Sequence, residues 1–203
     1  MNLSFLICFV VISLLIASLL FYFNRRRIDN TLQQAQQAHA PAQYQVAQWY
    51  YHGKHLPKDW PQSFTYMQAA AQQNYLPALN ALGALYHAGH GTEKNDSKSF
   101  SCYLQSAEQG NLEGMINVAV LYHQGIGVAQ NDQQAFVWLK KAADAHSPLG
   151  QRMLAEWYYA GIGTEVNKPL GLQYYLAAAQ QGEPVATAFL KTRDPRLQHH
   201  GPI

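Results

Sequence analysis

The feature that most constrains this chain is self-similarity at a fixed spacing of 36 residues. Tyr50, Tyr86, Tyr122 and Tyr158 stand at that interval, as do Gly53, Gly89, Gly125 and Gly161. Two places further on come His55, Gly91, Gly127 and Gly163. Then follow Asp59, Asn95, Asn131 and Asn167, next Phe64, Phe100, Phe136 and Leu172, and last Ala71, Ala107, Ala143 and Ala179. Four blocks, 42–77, 78–113, 114–149 and 150–185, succeed one another without insertion, and a fifth opens at Ala186. A period of this size marks stacked supersecondary units.

Each column has a physical reason. In the second block Leu82, Gly83, Leu85 and Tyr86 fall on one helical stripe. Gly89 ends that helix, because a residue without Cβ turns left-handed at little cost, and Gly91 permits a second tight bend. Asn95 is placed to cap the next helix by accepting from its free N–H groups. Pro61 and Pro169 fall in the first turn of that helix, where a missing N–H costs nothing. Phe100, Tyr103, Ser106 and Ala107 make the second stripe, with small residues that let neighbouring helices approach. One such helix pair cannot bury both apolar faces, whereas stacked pairs can. The fold class is therefore all-α, an α-solenoid of helix-turn-helix repeats.

Ahead of the repeats, residues 3–23 carry no charge and only serines as polar residues. At 1.5 Å per residue the run spans ~30 Å, the depth of a bilayer core. No Lys or Arg precedes it and no small-x-small cleavage site follows, which argues against a removed signal peptide. Phe21, Tyr22 and Phe23 suit a membrane–water interface, and Arg25, Arg26 and Arg27 favour the cytoplasmic side. The expected organisation is a transmembrane anchor over 1–24, a juxtamembrane helix and N-terminal cap over 25–41, a repeat domain over 42–192 closed by a capping helix at 186–192, and a loose tail over 193–203. Within the juxtamembrane part a helix is expected from about Asn30 to His39 as the remnant of a decayed repeat, since residues 34–41 resemble residues 70–77 one period later. The expected location is the inner membrane with the repeats in the cytoplasm. The alternative is a periplasm-facing immunity or envelope-stress protein.

Composition excludes some partners. The chain has 14 Lys and Arg against 12 Asp and Glu, and three of the basic residues are the arginines just named. The remainder is close to neutral, so it lacks the basic stripe that nucleic acid would require. Cys8 and Cys102 are far apart and read as two small hydrophobes. No G-x-S-x-G, H-E-x-x-H, phosphate-binding loop or C-x-x-C occurs, and the carboxylates Glu108, Glu113 and Glu156 fall in different columns. Neither an enzyme nor a cofactor nor a small-molecule substrate is expected. Histidine offers the one metal reading: His52 and His55, and His87 and His90, are three apart, and His87 shares a column with His123. Equivalent positions in stacked helical layers lie about 10 Å apart, while Zn–N bonds are about 2 Å. One ion therefore cannot take both His87 and His123. A metal-binding protein or hydrolase built on these histidines is the alternative of another class.

The run from Leu121 to Ala143, LYHQGIGVAQNDQQAFVWLKKAA, resembles the Sel-one-like repeat (SLR), a relative of the tetratricopeptide repeat. The second, third and fourth blocks fit the family pattern well. The first departs from it, with His55 at the second glycine and Trp60-Pro61 after the cap. The family's Asp is Asn in three blocks, so the cap keeps its acceptor and loses its charge. The resemblance implies a right-handed solenoid in a bacterial membrane-anchored adaptor, scaffold or regulator that binds another protein. It also implies that the first helix of each block lines the concave surface. The columns the family leaves free there hold Tyr44, Gln48 and Tyr51; Asn80, Ala84 and His87; Ile116, Val120 and His123; and Arg152, Glu156 and Tyr159. Of these, Tyr44, Gln48, Tyr51, His87, His123, Arg152, Glu156 and Tyr159 are the candidate contacts, because aromatic rings and Arg anchor protein interfaces. The convex side and the loops stand as the other surfaces a partner could use.

Overall fold

The structure, a computed structural model, describes residues 3–193, with side chains from residue 13 onward. The described residues form ten helices and no strand: α1 (Leu3–Gln36), α2 (Ala40–His52), α3 (Trp60–Gln72), α4 (Leu76–Ala88), α5 (Asp96–Glu108), α6 (Leu112–Gln124), α7 (Asp132–Asp144), α8 (Pro148–Ala160), α9 (Lys168–Gln180) and α10 (Pro184–Arg193). The chain divides into two compact units, Met1–Ala78 and Leu79–Ile203, and α4 begins at the end of the first.

The turn chemistry explains the helix ends. Gly53, Gly89, Gly125 and Gly161 all have φ between 68° and 73°. After each of them the next amide reaches back into the helix, as Ile126 N does to Leu121 O at 3.0 Å. The capping column works as its residue types require. Asp59, Asn95, Asn131 and Asn167 each accept from the amide three residues on. Their own amides donate to the carbonyls of Tyr50, Tyr86, Tyr122 and Tyr158, so the tyrosine column closes every turn. His55 takes the second glycine's place at φ 70°, a strained conformation for a side chain with a Cβ.

The first helices of the blocks start at Ala40, Leu76, Leu112 and Pro148, two residues ahead of the small-residue column that opens the blocks in the sequence. The reason is capping: Asn111 and Ser147 accept from Gly114 N and Gly150 N and fix those starts.

In the first unit, α1 is one helix of 34 residues, so no separate helix begins at Asn30. Nothing between Leu3 and Gln36 breaks it, for it holds neither Gly nor Pro. It ends before Ala38, at φ 60°, and Pro41 lies in the first turn of α2. Ala35, Ala42, Val46 and Trp49 form the core here, with Ile28, Leu32, Tyr50, Leu56 and Tyr66 packed against it. Among the described residues no helix is long and apolar enough to cross a membrane. The side chains of residues 3–12, the start of the apolar run, lie outside the described set.

In the second unit, helices pack in chain order from α5 to α10. Ile116, Leu139, Leu154, Trp157 and Tyr158 are central to its core, and α10 covers Ala155, Tyr175 and Ala178 through Ala186 and Leu190. Phe100 meets Tyr122 edge to face at 5.1 Å, and Phe136 meets Tyr158 at 5.3 Å, so α5 and α7 each pack on the helix that follows through the same ring pair. The tail from Asp194 lies outside the described residues.

Candidate protein-interaction face

The candidate residues occupy three columns on the first helices, and the columns differ in accessibility. The column of Tyr44, Asn80, Ile116 and Arg152 turns inward. Asn80 is 6% exposed and Ile116 8%, which corrects the expectation that these positions are open to a partner. For Tyr44, Asn80 and Arg152 the residue 31 places further along is a partner. Tyr44 packs edge-on against Tyr75 with centroids 5.5 Å apart, and Asn80 Nδ2 donates to Asn111 Oδ1 at 2.8 Å. Arg152 pairs with Glu156, and its Nε lies 3.4 Å from Glu183 Oε1. That Nε is buried and has no hydrogen bond; the distance to Glu183 is a charge attraction rather than a directed bond. Arg152 is thus committed within its own block.

The column of Gln48, Ala84, Val120 and Glu156 is more open. Ala84 is exposed and the other three are half-buried. Gln48 Oε1 is 3.1 Å from His52 Nε2.

The ring column is engaged on one edge and open on the other. His87 Nδ1 lies 2.6 Å from Asp96 Oδ1 and His123 Nδ1 lies 2.7 Å from Asp132 Oδ1. The His123 ring also leans on Trp157 at 5.3 Å. Tyr51 meets His52 edge-on at 4.9 Å. Tyr159 packs on Tyr175 and Phe189, and its hydroxyl accepts from Arg193 Nη1 at 3.1 Å. Asp96, Asp132 and Arg193 escape a reading based on helical periodicity. The signal for the aspartates is nonetheless in the sequence: the two blocks with His in this column carry Asp nine places later, while those with Tyr carry Trp60 and Lys168.

Burial pushes the Cys102 thiol up to about 11, which leaves it protonated and unreactive near neutral pH. Burial, with Glu113 adding, raises Tyr103 to about 12. Among the described residues no group of three or more His, Cys, Asp or Glu side chains could hold a metal ion. The Nδ1 atom of His87 is engaged by Asp96. The adjacent pair His199 and His200, which by sequence could bind a metal weakly, lies outside the described residues.

The Sel1 repeat profile matches four successive segments, 40–75, 76–111, 112–147 and 148–183. The chain belongs to the Sel1 repeat family. No curated protein matches it. Among solved structures it is similar to a protective antigen present in uropathogenic Escherichia coli strains that displays an SLR fold, at 27% identity and a TM-score of 0.76 over 81% of this chain. It is also similar to a Sel1 repeat protein from Oxalobacter formigenes, at 27% identity and a TM-score of 0.71 over 75% of this chain. The chain spans 35% of the first of these and 62% of the second. The matched segments start where α2, α4, α6 and α8 start. Sel1 repeats generally serve as non-enzymatic protein-interaction modules.

Proposed function

We propose that this Sel1 repeat protein is a membrane-tethered scaffold, without catalytic activity of its own, that holds a partner protein against the first-helix face of its repeats. One observation supports the tether above all. Leu14, Leu15, Ile16, Leu19, Leu20, Phe21, Tyr22 and Phe23 are each at least 54% exposed on the described part of α1. An apolar surface on all sides of a helix is stable only in a non-aqueous setting or under another protein. Residues 3–12 continue the run to a length that spans a bilayer core. Arg25, Arg26 and Arg27 favour the cytoplasm for the repeats. Alkaline phosphatase fused to the C-terminus should be inactive in cells; activity would place the repeats in the periplasm.

The binding face is tested by position. A photo-crosslinking residue at Ala84, Val120 or Glu156 should capture the same protein from intact cells. The same residue at Val137 or Lys141, on the exposed side of α7, should not. Capture from α7 alone would move the binding surface to the second helices.

A further inference from the structure

The first block departs from the others at its turn, and the packing of α1 places that turn beside the arginines. α2 runs back along α1 after a short turn, for Gln43 Nε2 donates to Ala35 O at 3.3 Å. From that contact, two helical turns forward along α2 reach Trp49 or Tyr50, and two turns back along α1 reach Ile28. Ile28 and Tyr50 indeed pack against one core. The α2–α3 turn is tied to the same level. Lys54 N donates to Trp49 O at 3.1 Å, the His55 ring meets Trp49 at 5.0 Å, and Leu56 joins the Ile28 core. Ile28 follows Arg27 directly and lies about 7.5 Å along the helix from Phe23.

At that level the turn carries Lys54, Lys58 and Trp60. The other blocks have His90, Ile126 and Ile162 in place of Lys54, Lys94, Gln130 and Val166 in place of Lys58, and Asp96, Asp132 and Lys168 in place of Trp60. Lys54 and Lys58 are exposed, Trp60 is 36% exposed, and Lys58 Nζ sits 4.5 Å over its ring. With Arg25, Arg26 and Arg27 this makes five cations, opposed nearby by Asp29 and by Asp59, whose carboxylate already caps α3. Basic side chains around an amphipathic ring suit an anionic lipid surface, where each cation within reach of the headgroups gains about 1 kcal/mol.

We propose that the α2–α3 turn of the first block, through Lys54, Lys58 and Trp60, rests with Arg25–Arg27 on anionic phospholipid headgroups. The block most degenerate as a repeat is on this view a membrane-facing foot. The inference rests on the tether proposed above and goes beyond it, since a tether alone requires nothing of this turn.

The test uses the unmodified full chain in nanodiscs of phosphatidylcholine, with and without phosphatidylglycerol. Lysines are acylated with a water-soluble reagent and read by mass spectrometry, with Lys94 and Lys140 as internal references. Phosphatidylglycerol should slow acylation of Lys54 and Lys58 by about fivefold each, and the references should not change. A chain that stays in the disc with Lys54 and Lys58 reacting alike in both lipids overturns the inference and leaves the tether standing. A chain that does not stay in the disc overturns the tether, and this inference with it.

Discussion

The Nδ1 atom of His87 lies 2.6 Å from Oδ1 of Asp96, so the last turn of α4 is tied across the loop to the first turn of α5. The hydrogen bond from His87 holds the Asp96 carboxyl below its ordinary value of 3.8, against some desolvation and with help from Lys94, whose Nζ is 3.5 Å away. A carboxylate depressed in the folded state adds stability above its unfolded value, and that stability is lost as the pH falls through the folded value. Asp96→Asn should therefore lower the urea midpoint at pH 6, and the deficit should close as the pH approaches 3. A deficit that is the same at both pH values would show that charge is not what the pair contributes.

Gly127 and Gly110 both have positive φ, yet their surroundings differ. A Cβ on Gly127 would overlap the backbone carbonyl of Asp96, whereas one on Gly110 meets nothing within 4 Å. Gly127→Ala should cost more than ~2 kcal/mol, combining strain with a backbone clash, and Gly110→Ala only about 1 kcal/mol. His146 holds the column of Gly110 at φ 61°, so His146→Gly should stabilise by about 0.5–1 kcal/mol. Equal melting temperatures for the two alanine variants would contradict the close approach of α5 to the Gly127 turn.

Ser99 and Ser106 are fully buried, and neither hydroxyl has a hydrogen-bond partner among the described residues. The third block has Ala135 and Ala142 in their columns, both at 0% exposure. Ser99→Ala and Ser106→Ala should each be neutral or stabilising by up to about 1 kcal/mol, since a buried unsatisfied hydroxyl is removed. A loss of stability in calorimetry would reveal a partner for the hydroxyl.

Phe189 stacks on Tyr175 with centroids 3.8 Å apart and meets Tyr159 at 5.6 Å, under the Arg193 guanidinium. Truncation to Ala should cost about 2–3 kcal/mol, because the ring is only partly buried. Thermal unfolding should fall accordingly. An unchanged midpoint would mean that α10 adds little to the end of the stack.

The sequence spells out some of this and conceals the rest, for a physical reason in each case. The glycine, asparagine and tyrosine columns are legible because each meets a local backbone demand, repeated four times. The single helix through Asn30 follows from the lack of any breaker, although the repeat-like Gln-rich segment points to a helix of its own. The burial of Asn80 is not legible, because it depends on Asn111 reaching it from 31 places away. The pairing of His87 with Asp96 crosses a turn at a spacing that matches neither helical nor strand periodicity, so it emerges only when blocks are compared.

The special contacts of the repeats have an address in common. Tyr44–Tyr75, Asn80–Asn111, His123–Asp132 and Gln151–Gln181 each fall inside one segment of 36 residues. Some contacts that cross from one segment to the next, such as Phe100–Tyr122, use residue types that recur down the chain, whereas His123–Trp157 and Tyr174–Asp144 are particular to their boundary. A segment therefore carries several of its own matched pairs and shares the Phe–Tyr ring contact with its neighbours. Excising 112–147 as a unit would join Asn111 to Pro148 and offer Phe100 the ring of Tyr158. The shortened chain should still fold cooperatively. An array built this way can lengthen or shorten by unequal crossing-over between gene segments and keep intact the pairs that lie inside each segment.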